Sequence, residues 1–191
     1  MHLWRPPYQT EVLFAHSVIA GENTAIVGDR ITQPGASIFN PSEQIASFDR
    51  MEKLIPSLAA AHPSHPTLAV NWNTVDAATA SLTLDATGAA AYSQAFHPSR
   101  GLAPPTGAIK APVKGDLVFK VGRTTGYTRG EVKQATTVVG PIGYTHGPCW
   151  FRRSFVIESL DGSAFSAQGD SGSGIFSEDG DLIGLLYAGN G

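Results

Sequence analysis

Hydrophobic and polar positions alternate along this chain in short runs. The segments 11–15, 25–32, 44–48, 68–72, 78–84, 117–121, 130–139, 153–160, 174–176 and 182–187 are rich in Val, Ile, Thr, Leu and Phe. Gly, Pro, Asp or Asn lie near most of their ends, so the pattern predicts strands separated by tight turns. Helical periodicity is confined to 51–61 and 88–96, and Pro56 interrupts the first of these. Many short strands at this spacing predict an all-β barrel or sandwich, and no repeat of fixed period is visible.

Composition sharpens this picture. The chain has 191 residues, 42% of them hydrophobic, enough to bury a sizeable core in one domain or two small sub-domains. Its 21 glycines and 13 prolines are spread along the sequence rather than clustered, which fits turns and not disorder. The segment 97–107 is the exception: it suits no regular structure and divides the chain into two β-rich portions, 1–105 and 106–191. A net charge of -3 supplies no basic footprint, so nucleic acid is not an expected partner. No apolar run reaches the length of a membrane helix, and no membrane partner is expected. The single cysteine, Cys149, permits no internal disulfide, and the N-terminus lacks the pattern of a signal peptide. Both point to a cytoplasmic setting.

The chemistry concentrates at Gly169-Asp170-Ser171-Gly172-Ser173-Gly174. A serine hydroxyl needs a base, a group that orients the base, and donors for the oxyanion that forms. Gly169 and Gly172 allow the backbone around Ser171 to take tight dihedrals, and the amides of Gly169 and Ser171 can converge as an oxyanion hole. A strand, the turn Glu178-Asp179-Gly180-Asp181 and a second strand follow at once. Taken alone, Gly-Asp-Ser-Gly is also what a plain turn looks like.

Four stretches in order carry a resemblance. Residues 118–132, with Gly122-Arg123-Thr124-Thr125-Gly126, and Phe165-Ser166-Ala167-Gln168 before the serine turn are two of them. Asn73-Thr74-Val75-Asp76-Ala77-Ala78 is the third, and the region from His16 through Gln33-Pro34-Gly35 is the fourth. Together they resemble the chymotrypsin-like (trypsin-like) serine peptidases that lack disulfides. The resemblance implies a two-barrel all-β fold, with the first barrel in 1–105, the second in 106–191 and residues 97–107 joining them. It implies a serine endopeptidase acting on protein or peptide substrates through an acyl-enzyme. His16 is then the general base, Asp76 orients it, and Ser171 is the nucleophile. Gly169 and Ser171 form the oxyanion hole, and Phe165, Tyr187 and Gly189 line the substrate pocket. Few residues precede His16 or follow Ser171, so the same plan implies a first barrel and a C-terminus that are incomplete, without the closing strands and C-terminal helix.

Two registers are open at the histidine. Ala15-His16-Ser17-Val18 is similar to the Ala-His-Cys-Val of secreted trypsins and makes His16 the base. Aligned instead on Val18-Ile19-Ala20, Ser17 falls at the histidine position, and the chain becomes an inactive fold serving as a binding or scaffold module. The other histidines flank Pro or Gly and form no metal-ligand spacing, so neither a metal nor a cofactor is expected. Asp170 has no Ile-Val-Gly-Gly N-terminus to pair with, and local amides are its expected partners. Phe165 at the pocket floor brings no charge, which predicts an apolar or shallow pocket. A serine esterase of another fold is disfavoured, because Gly169–Ser173 lacks the fifth-position glycine of the nucleophile elbow.

Overall fold

The structure is a computed structural model, and it describes residues 11–14, 23–33, 43–58, 61–64, 68–82 and 108–189. Ten strands follow one another: β1 (Glu11–Phe14), β2 (Arg30–Gln33), β3 (Glu43–Met51), β4 (Trp72–Asn73), β5 (Ala78–Leu82), β6 (Leu117–Gly122), β7 (Gly126–Tyr144), β8 (Gly147–Ser159), β9 (Gly174–Ser177) and β10 (Leu182–Leu185). Among the described residues there is no helix. The helix expected over 88–96 and the connection over 97–107 lie outside the described residues.

The strands form two sheets, β1-β5-β3-β2 and β10-β9-β6-β7-β8-β4. The first buries Ile31, Ala46, Phe48, Ala78 and Ala80. The second packs Val118, Val132, Phe165, Ile175 and Ile183 into one cluster and Phe119, Phe176 and Leu182 into another. β4 belongs to the second sheet although β3 and β5, its neighbours in sequence, belong to the first; it pairs parallel with β8 through Trp72 and Trp150. The chain therefore crosses between the sheets over residues 74–77, and Asp76 sits in that crossing.

Strand lengths differ from the pattern-based expectation in an informative way. β7 and β8 run on beyond 130–139 and 153–160 into one long hairpin. Register shifts recur along it, between Val132 and Gln134, Gln134 and Thr137, Thr137 and Val139, and Val139 and Ile142. Such irregularities bend and twist a ribbon. Here they let its base join the second core while its tip reaches residues 52–58 and Asp76. Leu54 packs with Cys149 and Phe151, and the Ser57 amide donates to the Pro148 carbonyl at 2.8 Å.

The helix expected over 51–61 is not formed: β3 ends at Met51 and residues 52–58 form neither helix nor strand. Two asparagine side chains explain why. Asn23 accepts from the Leu54 amide (2.9 Å) and donates to the Leu54 carbonyl (2.9 Å). Asn73 does the same for Ile55 (2.8 and 3.0 Å) and also donates to the Trp150 carbonyl (3.1 Å). Each primary amide copies one residue of a neighbouring strand, so backbone groups that a helix would pair locally are paired sideways.

Asn73 is buried, so replacing it leaves several polar groups without partners. Asn73→Ala is expected to destabilise the fold by about 1–3 kcal/mol for each buried group left unpaired, measured as a drop in the urea midpoint. A midpoint within error of the parent chain would show that the 52–58 segment is held by other contacts.

Candidate active site

The serine turn is built from both ends. On its C-terminal side, the Gly172 amide donates to the Leu186 carbonyl (2.7 Å) and the Leu186 amide to the Ser173 carbonyl (2.9 Å). These bonds moor the turn to the chain leaving β10. Gly169 has φ +100° and Gly172 φ +87°, a region that L side chains avoid. At Gly169 space is short as well, since a Cβ there would stand 2.6 Å from Thr124 Oγ1. Ser171 is half-buried at the head of the turn. Among the described residues its hydroxyl makes no hydrogen bond, and the amides of Gly169 and Ser171 donate to no acceptor. Two unengaged N–H groups flanking a half-exposed serine suit an incoming oxyanion.

Beneath the turn lies Asp170, fully buried. Its Oδ1 accepts from the amides of Thr124 (2.7 Å) and Thr125 (3.3 Å), and its Oδ2 from Thr125 Oγ1 (2.7 Å) and the Ala167 amide (3.0 Å). Lys120 Nζ stands 3.4 Å from Oδ2, and neither side chain has any solvent exposure. The ammonium also donates to Thr125 Oγ1 (2.5 Å) and to the Gly126 carbonyl (3.2 Å). Thr125 thus relays between the two charges, accepting from the lysine and donating to the aspartate. Burial alone would push the Asp170 pKa up; the bonds from Thr125, Ala167 and Thr124 outweigh it and hold the carboxyl far below the usual carboxylate range. Burial lowers the pKa of Lys120, and the Asp170 charge and hydrogen bond only partly offset this. Gly122 lies directly under the carboxylate, where a Cβ would overlap Asp170.

The expected capping of local amides by Asp170 is thus present, but its charge partner is Lys120. A lysine between Phe119 and Val121 was the one available sign, because an unpaired charge does not persist inside an apolar strand.

Asp76 is buried at 2% exposure and accepts from the Tyr144 hydroxyl at 2.5 Å. Burial, then the Asp76 charge and this hydrogen bond, drive the Tyr144 pKa far above its ordinary value, so Tyr144 is a permanent donor. Nothing in the local sequence marks Tyr144 for this task; the length of the β7–β8 hairpin delivers it. His16 lies outside the described residues.

Asp76, Phe165, Tyr187 and Gly189 come together around one cleft of about 610 Å3, walled by β8 from Arg153 to Ser159 and by residues 184–189. Ser171 is not part of its lining. Phe165 is mostly buried in the second core, with Lys120 Nζ 5.6 Å from its ring centroid. The Tyr187 hydroxyl lies 2.6 Å from Ser154 Oγ. Gly189 lies so near Ser166 that a Cβ would come within 2.5 Å of its Oγ. Arg123 is exposed. Among the described residues no group of three or more His, Cys, Asp or Glu side chains is placed to hold a metal.

A sequence model of peptidase family S64 matches residues 56–190. The chain belongs to peptidase family S64. Among solved structures it is similar to the Nocardiopsis protease NAPase, with 18% identity, a TM-score of 0.52, and coverage of 95% of this chain and 71% of that one. It is also similar to a glutamic acid specific serine protease that uses a histidine triad in substrate binding, with 16% identity, a TM-score of 0.50, and coverage of 95% and 73%. At these identities the likeness is one of fold: this S64 chain has the all-β, chymotrypsin-like two-barrel architecture. No curated protein matches its sequence.

The buried ion pair generates two expectations for this S64 chain. Lys120→Met strands the Asp170 charge and is expected to cost about 3–5 kcal/mol in urea unfolding; a loss below about 1 kcal/mol would show the pair to be dispensable. The folded pKa of Asp170 lies below its unfolded value, so its contribution is present above about pH 4 and fades as pH falls towards the folded pKa. Urea stability should therefore decline on acidification below about pH 5. That decline should be shallower in Asp170→Asn, and equal slopes would assign the acid sensitivity to other groups.

Proposed function

We propose that this chain is a serine endopeptidase with Ser171 as nucleophile. His16 takes the hydroxyl proton as Ser171 attacks the scissile carbonyl, and Asp76 orients the imidazole and stabilises the imidazolium. The amides of Gly169 and Ser171 receive the oxyanion. His16 then returns the proton to the leaving amine, and water hydrolyses the acyl-enzyme in a second round of the same steps. The triad draws on both portions of the chain, His16 and Asp76 from 1–105 and Ser171 from 106–191. The observation that carries this reading is the Ser171 turn itself, with two unengaged amides and, beneath it, a buried carboxylate that accepts from the Thr124 and Ala167 amides. Membership of a peptidase family and likeness to serine proteases in fold support it.

Asp76 is suited to its part. It occupies the crossing between the sheets, and the Tyr144 hydroxyl fixes one carboxylate oxygen. At the substrate cleft, Phe165 supplies an apolar floor next to Tyr187 and Gly189. No carboxylate stands at position 165, so a cationic substrate side chain finds no counter-ion there.

A fluorophosphonate probe is expected to label Ser171, and Ser171→Ala should abolish labelling. His16→Ala should slow turnover of a peptide substrate by about 10^6-fold and Asp76→Asn by about 10^4-fold; wild-type labelling kinetics in His16→Ala would overturn the triad. In a peptide library, cleavage should follow uncharged, apolar residues. A preference for Arg or Lys would refute the pocket assignment.

A further inference from the structure

Thr124 touches the serine turn at two points. Its amide donates to Asp170 Oδ1 (2.7 Å), and its hydroxyl donates to the Gln168 carbonyl (2.7 Å). The second bond has a geometric consequence. In a trans peptide the C=O and the following N–H point in opposite directions, so aiming the Gln168 carbonyl at Thr124 aims the Gly169 N–H away from it.

That peptide has little else to hold it. Gly169, at φ +100°, carries no Cβ to resist rotation. Among the described residues the Gln168 carbonyl has no second donor and the Gly169 amide has no acceptor. A rotation of the 168–169 peptide would point the carbonyl where the N–H now points, replacing a donor by an acceptor. Thr124, by contrast, is firmly placed. Its own amide and that of Thr125 are bound to the buried Asp170 carboxylate, which Lys120 neutralises. Contact between Thr124 and the turn is close, as the 2.6 Å from Oγ1 to a Cβ at Gly169 records.

We propose that Thr124 is a positioning residue of the oxyanion hole: its hydroxyl holds the 168–169 peptide in the one orientation that presents the Gly169 N–H to the developing oxyanion. Thr124 touches neither substrate nor reacting atoms and acts through the peptide. The role rests on the serine-peptidase reading, and the anchored peptide can be tested apart from it.

The test compares the full chain with Thr124→Val, which keeps the shape and removes the hydroxyl, and Thr124→Ser, which keeps the hydroxyl. On a peptide amide substrate, Thr124→Val is expected to lower kcat by about tenfold or more, bounded by the 10^2–10^3-fold loss that follows removal of one oxyanion donor. KM should stay within about twofold, because only the transition state uses the donor. Thr124→Ser should recover most of kcat, whereas a merely structural role would move stability and KM instead. Crystal structures of the variants supply a readout independent of activity. The 168–169 peptide should be rotated or disordered in Thr124→Val and native in Thr124→Ser. Parent-like kcat in Thr124→Val, or a native peptide orientation in its crystals, would overturn the proposal. If the parent chain neither turns over substrate nor labels with a fluorophosphonate, the serine-peptidase reading fails; the peptide orientation in Thr124→Val still decides whether Thr124 is the anchor.

Discussion

A carboxylate with no exposure to water sits under the Ser171 turn of this chain, and the geometry of the surrounding loops follows from the need to satisfy it. Asp170 gathers three backbone amides, a threonine hydroxyl and the Lys120 ammonium from two separate stretches of sequence. Leaving such a charge unpaired in the interior would cost a large fraction of the stability of a domain of this size. The 123–126 turn and the 167–171 turn are therefore locked to each other. Gly122 has no side chain because the carboxylate occupies its place, and Gly169 has none because Thr124 does. Ser171, which makes no hydrogen bond among the described residues, is held in position only through its neighbours.

A second constraint acts at the other end of the site. The β7–β8 hairpin is long, irregular in register and bent, and its tip packs against residues 52–58. Tyr144 lies at that tip and donates to Asp76, which sits where the chain crosses from one sheet to the other. The two carboxylates thus play opposite parts. Asp170 is closed off by a lysine and serves architecture, whereas Asp76 lines the cleft and receives a tyrosine. Burial is similar for both; the difference lies in the partners.

How legible these features are in sequence depends on the range of the interactions behind them. β3 and β5 lie where the alternation of apolar residues places them, because their side chains face a sheet surface whose period of two is a local property. The lengths of β7 and β8 are not legible in this way, since their outer halves are stabilised by each other and by Leu54, far away in sequence. The segment 52–58 reads as helix by local preference and forms none, because the Asn23 and Asn73 side chains supply the partners that a helix would have supplied internally. Local propensity loses wherever a distant polar group satisfies the backbone first.

The sequence by itself determined that the chain is all-β, that it carries a glycine-flanked serine turn ahead of a hairpin, and that its motifs follow the order of the chymotrypsin-like peptidases. Each of these rests on residue types and spacing, which local sterics and a period of two translate directly into structure. Only the tertiary structure decided that Lys120 neutralises Asp170, that Tyr144 serves Asp76, and that Thr124 grips the peptide before Gly169. Those pairings join residues from 44 to 68 positions apart, and such partners are chosen by which groups folding buries together without water, a property of the assembled fold and not of any segment.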